Sequence, residues 1–441
     1  MDPSTNLYDI IVIGAGVMGS AAAYHSAKAG GKTLLLESKH FLHRTGSSHG
    51  ESRIVRKTYT DDMYTHIMMD SYKEWKNLED DSGIPLLHTT GGLNISLKDS
   101  IALSTLSNAC TKYNINHYYI SPDELQQQYG MTIAKNEIAL YQEDTGIVNA
   151  TTVVATLQSM ARKYGAILHD HCKIYKLITH YNTTSLDVSS ENEKQNMRYY
   201  ECQTTNNRIF YGKKIIICPG AWVKPLLKEL LQIDITNIDV WQCTVMYFHP
   251  LQTISNLPSH SIQKLPVIID YGIGSTTSHA QPSSTNVASI ENLDIPIYSC
   301  PNYEYPNLVK FAVHRGQITT ADTRTFIPDE QLTIEPVKQW LKVRLPWIDA
   351  DKPLHTETCL YTVTPDEDFI IDTIKTNPDF HNGVFIGSIC SGHGFKFGPL
   401  MGKWLYALAS NKHDLIQPSK DYLSRFSLQR KNLDVQYIFE N

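Results

Sequence analysis

Residues 8–37 read YDIIVIGAGVMGSAAAYHSAKAGGKTLLLE, and the fold is decided there. Residues 9–13 are a short apolar run rich in β-branched side chains, the pattern of a strand buried on both faces. Gly14-Ala15-Gly16-Val17-Met18-Gly19 follows at once, and 17–28 is Ala-rich with helical spacing. A second buried run, 33–36, ends in Glu37. Strand, glycine turn, helix and strand in this order predict a βαβ dinucleotide unit. Gly14 permits the tight turn, Gly16 lets the backbone approach a pyrophosphate, and Gly19 lets helix and strand pack closely. The helix N-terminus offers unpaired N–H groups and a positive dipole end to phosphate. Glu37, 23 residues after Gly14, is placed to accept from a ribose 2′-OH, which argues against NADP and leaves NAD and FAD both open.

With 441 residues the chain exceeds one compact core, so two domains are expected. Hydrophobic content of 41% and charged content of 19% fit an ordinary globular protein, and a net charge of −6 provides no basic face for nucleic acid. No apolar run is long enough to span a membrane. No secretory leader and no peroxisomal tripeptide are read at the ends, so a cytoplasmic protein is expected. The eight cysteines form no CxxC pair and no zinc spacing, so no metal is expected and reduced thiols fit best. The N-x-S/T triplets at Asn94, Asn149 and Asn182 are read as chance.

Beyond Glu37, residues 46–56 are small, polar and basic, and predict a loop leading into a helix that would carry Arg53 and Arg56 on one face. Two guanidiniums beside a dinucleotide can hold phosphate or a substrate carboxylate, or form a solvated basic face. Strands are predicted at 91–96, 115–120 and 139–141, with helical character at 122–129, as parts of a separate sheet. Residues 149–164 form an amphipathic helix with Val153, Val154, Leu157 and Ala161 as its stripe. A strand near Ile167 and a hairpin with a polar connection at 189–196 follow. The strand 214–218 runs into Pro219-Gly220-Ala221-Trp222 and a helix to Leu231, a second strand–glycine–helix turn. A third lies at 384–410, around Ser391-Gly392-His393-Gly394. Between them come a strand at 239–248, a Ser/Thr-rich loop at 274–292, and strands near Tyr298 and at 308–314. In the last, alternation sends Lys310, Ala312 and His314 to the face opposite Val309, Phe311 and Val313. One domain assembled from separated segments is expected, at 1–90, 146–230 and 355–441, with a second built from 91–145 and 231–354.

GAGVMGSAAAY, GSSHGESRIVR, CPGAW, VKFAVHRG, CLYTVTPDEDFIID and SGHGFKFGP run through nearly the whole chain. By them the chain resembles the monomeric sarcosine oxidase family of flavoproteins, which includes pipecolate and other N-alkyl amino acid oxidases. The loop at 274–292 is longer than the family usually carries. The resemblance implies an α/β fold: an FAD-binding Rossmann-like domain of the glutathione-reductase, D-amino acid oxidase-like type, with an antiparallel-sheet substrate domain. It implies FAD rather than NAD, attached covalently through Cys359 to the flavin 8α-methyl group. It places a substrate carboxylate between Arg56 and Lys396, with Tyr298, His314 and Tyr361 as walls. Lys310 falls on the lysine that serves oxygen, and His49 and Arg53 fall beside the flavin ring. Gly14, Gly16, Met18, Gly19, Glu37, Ser48, Gly220, Gly392, His393, Gly394 and Lys396 complete the expected cofactor contacts. The implied reaction, by a monomer, oxidises a small secondary or cyclic amino acid to an imine and reduces O2 to hydrogen peroxide. A flavin dehydrogenase with another acceptor, an oxidase of a larger cyclic amine, a flavoprotein without turnover and an NAD-linked enzyme are the competing readings.

Overall fold

The computed structural model describes residues 7–181, 198–251, 265–272, 296–375, 377–388, 391–416 and 419–438. The expected loop at 274–292 and hairpin connection at 189–196 lie outside the described residues.

The strand Leu7–Ile13 is buried on both sides, as its apolar run predicts. Ile10 and Val12 face one hydrophobic cluster, with Ala21, Ala22 and Trp404. Ile11 and Ile13 face another, with Leu227 and Leu230. The strand pairs in parallel with Thr33–Leu36 on one side and with Ile209–Ile217 on the other, and Ile209–Ile217 pairs in parallel with Val384–Ser388. Each of Leu7–Ile13, Ile209–Ile217 and Val384–Ser388 is followed by a glycine turn and a helix. Because these strands are parallel neighbours, their turns open at the same sheet edge, where open α/β sheets bind ligands. Segments separated by about 200 and 370 residues therefore meet at one place. The helix Val17–Lys28 packs on Gly398–Ala409 through small residues; a Cβ on Gly402 would lie 2.3 Å from the Ala21 Cβ.

A second eight-stranded sheet stands beside it, in the order His355–Val363, Asp239–Phe248, Val309–Thr319, Ile297–Cys300, Val267–Asp270, Gly92–Leu97, Glu137–Gln142 and His117–Ile120. The ladder between Val267–Asp270 and Gly92–Leu97 is parallel, the one exception to antiparallel pairing in this sheet among the described residues. The edge strand His355–Val363 carries a correction. The domain boundary expected at 355 falls too early, because this strand pairs along its length with Asp239–Phe248 in the second sheet.

Residues 46–56 also depart from expectation. No helix begins at Arg53; Ser52–Val55 is a strand, held antiparallel to Gly146–Asn149. Ile54 and Val55 suit that pairing, and a partner nearly 100 residues away overrides the local polar reading. The next helix, Asp62–Ser82, is capped by the Asp61 side chain and closed by Gly83 in the left-handed conformation.

Candidate active site

All the candidate site residues named from the sequence line one cavity of about 560 Å³, between the glycine-turn edge of the first sheet and one face of the second.

At its dinucleotide end, Gly14 takes φ 99°, and a Cβ there would lie 2.2 Å from the Cys218 carbonyl oxygen. No side chain fits, which explains the glycine directly. Ser48 Oγ accepts from the Val17 N–H at 3.1 Å, beside Gly16. The Ala15 N–H donates to Glu37 Oε2 at 2.9 Å and the Lys39 N–H to Oε1 at 3.0 Å. Burial opposes ionisation of Glu37, but His43 and these N–H groups outweigh it and hold the carboxyl below its ordinary range. An ionised acceptor thus stands where a ribose hydroxyl would be read. Gly220 and Gly392–Gly394 supply the other two turns. Gly392 takes φ 75°, and a Cβ would lie 2.5 Å from the Tyr361 ring and 2.6 Å from the His314 ring.

Two cations meet around one tyrosine. Lys396 Nζ donates to the Tyr59 hydroxyl and to the His393 carbonyl, each at 2.9 Å. Arg56 lies 5.0 Å from the Tyr59 ring centroid and donates to Tyr271 Oη at 2.6 Å and Asn94 Oδ1 at 3.2 Å. The Lys396 backbone is pinned from the helix Asp62–Ser82: Ser71 Oγ and Trp75 Nε1 donate to its carbonyl at 2.7 and 2.8 Å. Tyr59, Asn94, Tyr271 and this helix were not read from the sequence. The helix had a legible signal in the spacing of Tyr64, Ile67, Met68, Ser71, Trp75 and Leu78. The three polar partners had none.

The neighbouring wall carries Tyr298 and Tyr361, whose hydroxyls are 2.9 Å apart, and His314, whose ring lies 5.4 Å from that of Tyr361. Burial pushes both phenols well above their usual range, so both stay protonated at neutral pH. Arg53 donates to the carbonyls of His49 at 2.7 Å and Ser52 at 3.0 Å. Burial, then the charges of Arg53 and Arg324, push His49 down to about 3, so its imidazole is neutral. Lys310 Nζ donates to Ser52 O at 3.0 Å and to Ser52 Oγ and Glu304 Oε1 at 3.2 Å.

Cys359 stands directly opposite Cys243 across two antiparallel strands. A hydrogen bond from Cys243, working against burial and aided by Arg53, Lys310 and Arg324, brings the Cys359 thiol down to about 7. Cys243 is pushed the other way by burial and by that neighbour. Cys359 therefore ionises first, as a reactive thiol requires.

A dinucleotide with an attached ring fits this cavity. Glycines line the end that must admit a pyrophosphate, Glu37 is ionised, and two buried polar atoms on the cavity wall, His49 Nε2 and Thr362 Oγ1, have no partner among the described residues.

A model of FAD dependent oxidoreductases matches residues 9–408. The chain is 32% identical to a probable sarcosine oxidase of Arabidopsis thaliana, over 91% of this chain and 88% of that one. It is 31% identical to the peroxisomal sarcosine oxidase of Homo sapiens, over 98% of both. In fold it is similar to NikD, an unusual amino acid oxidase essential for nikkomycin biosynthesis, with a TM-score of 0.71 at 19% identity, over 92% and 95% of the two chains. No helix among the described residues is long and apolar enough to cross a membrane. The chain belongs to the FAD-dependent oxidoreductases, and within them to the sarcosine oxidase family.

Proposed function

We propose that this chain oxidises the C–N bond of a small secondary or cyclic amino acid, such as sarcosine or L-pipecolate, and passes the electrons to O2. The amine loses two electrons and two protons to become an imine, and O2 gains both to become hydrogen peroxide. FAD, when bound, supplies the redox relay between them. The observation that carries this reading is the pairing of Arg56 and Lys396 about Tyr59, in the cavity that also holds Cys359 and Lys310.

The two cations give an anionic ligand one firm handle, because charge-assisted bonds in a partly closed site outweigh neutral ones. A carboxylate held there directs the rest of the ligand along the wall of Tyr298, Tyr361 and His314. The amine must arrive without its ammonium proton, since its lone pair drives the oxidation. With both phenols protonated, Tyr298 and Tyr361 orient the amine by hydrogen bonding and do not act as ready bases. Lys310 places a positive charge where O2 turns anionic. Met18, Gly19, Ser48, His49 and Arg53 would line the bound cofactor, and Cys359 would attach to it, its ready ionisation favouring a thioether. A cytosolic monomer belongs to the same proposal.

A peroxide-coupled screen of secondary and cyclic amino acids tests the activity. Peroxide is expected with at least one of them and with no added acceptor; bleaching of the flavin without peroxide in air would sink the oxygen assignment. Acid precipitation tests the attachment: a yellow pellet is expected from the natural protein and a colourless one from Cys359→Ala.

A further inference from the structure

Lys310 is a buried cation of this cavity held by a carboxylate. Its side chain is 3% exposed and that of Glu304 is 2% exposed, with Nζ and Oε1 3.2 Å apart. Glu304 belongs to the loop joining Ile297–Cys300 to Val309–Thr319. Ser52 locks both partners. Its N–H donates to Glu304 Oε1 at 2.8 Å, its hydroxyl also donates to that oxygen, and its carbonyl accepts from Lys310. The carboxylate therefore has one fixed position. Burial opposes its ionisation, but Lys310 and the Ser52 bonds hold Glu304 below the ordinary carboxylate range.

We propose that Glu304 is a positioning residue for the oxygen step: its carboxylate fixes the Lys310 ammonium and damps the positive charge that this ammonium presents to an anion formed from O2. A cation acts on an incoming negative charge through what its own counter-ion leaves over, and in a buried site little solvent intervenes. An unopposed ammonium would attract that charge more strongly. It would also attract any other small anion that reaches the cavity. Glu304 thereby trades some oxygen reactivity for selectivity against inorganic anions. This inference rests on the proposed role of Lys310.

The probe is azide, titrated into the oxidised holoenzyme and read as a change in visible absorption, so no turnover is needed. Glu304→Gln is expected to bind azide about tenfold more tightly than the natural protein, and to reoxidise severalfold faster in air-saturated buffer without azide. Glu304→Asp keeps the charge and is expected to stay near the natural protein in both. The gain in azide affinity should vanish when Lys310→Met is added, which separates this anion site from Arg56 and Lys396. Unchanged azide affinity in Glu304→Gln, a gain that survives the loss of Lys310, or a gain without faster reoxidation would each overturn the proposal. Glu304→Ala gives the same reading should Glu304→Gln not fold. If Lys310→Met alone reoxidises as fast as the natural protein, the oxygen role of Lys310 falls. If it is slow while Glu304→Gln leaves azide binding unchanged, the role of Glu304 alone falls.

Discussion

The cavity holds its cations in two different ways. Arg56 donates to an amide oxygen and a phenol, and Lys396 to a phenol and a backbone carbonyl. Lys310 donates to a carboxylate. Neutral dipoles fix a cation without cancelling its charge, so the Arg56 side is suited to capture an anion. A counter-ion fixes the cation and cancels part of its charge, so the Lys310 side is suited to a charge that appears only during the reaction. Electrostatic stabilisation helps a chemical step when it is stronger in the transition state than in the resting complex.

Arg56→Met removes the main carboxylate handle, and should separate the two sides most sharply. Loss of one partner from a desolvated charge pair costs about 4 kcal/mol, or roughly a thousandfold in kcat/KM. Reoxidation by O2 should stay within about twofold, because that step leans on the other cation. Stopped-flow measurement of the two half-reactions decides this. Equal loss in both would mean that the two sides act as one.

The counter-ion side should be the acid-sensitive one. Glu304 has its folded-state pKa held below its ordinary 4.5. Its stabilising charge is therefore fully present above pH 4.5 and is lost as pH falls through the depressed folded value. At pH 7, Glu304→Gln leaves a buried ammonium unpaired and should cost about 3 kcal/mol. Between pH 4.5 and the depressed folded value the natural protein progressively loses this charge, so the gap in Tm between the two should close as pH falls through that window. Thermal melts from pH 7 down through that window read this directly; a gap that stays constant throughout would mean that the carboxylate adds nothing by its charge.

The two sides also differ in how far the sequence foretells them. The glycine turns, Glu37 and the helix Val17–Lys28 obey rules that act within about 30 residues, so local pattern finds them. Arg56 was read from the residues as one of two guanidiniums beside a dinucleotide, the roles of Lys396 and Lys310 came from family resemblance, and the structure brings all three to the same cavity. Their partners had no local signal. Asn94 reaches Arg56 across 38 positions and Tyr271 across 215, and they meet because Val267–Asp270 pairs in parallel with Gly92–Leu97. Glu304 lies only six residues from Lys310, yet a lone acidic residue in a loop reads as solvated surface until Ser52–Val55 is seen to close over it. Arg53 was misplaced on a helix for a related reason: the polar run 46–51 hides a strand whose partner, Gly146–Asn149, lies far along the chain.

The smallest expected effect asks what Tyr59 contributes to the anion side. Its ring faces the Arg56 guanidinium, while its hydroxyl accepts from Lys396. Tyr59→Phe keeps the ring and removes the hydroxyl, with its bonds to Lys396 and to His393 Nδ1 at 3.3 Å. If ring contact with Arg56 were the whole contribution, KM for the amine would not change. If the hydroxyl fixes Lys396, the lysine keeps the His393 carbonyl and loses one charge-assisted hydrogen bond, worth about 1.5 kcal/mol and roughly a tenfold rise in KM. The reoxidation rate should not move in either case, because Lys310 is held by Ser52 and Glu304 and by nothing on Tyr59. A change in reoxidation larger than the change in KM would show that the two ways of holding a cation are coupled through the cavity, and the separation drawn between them would fail.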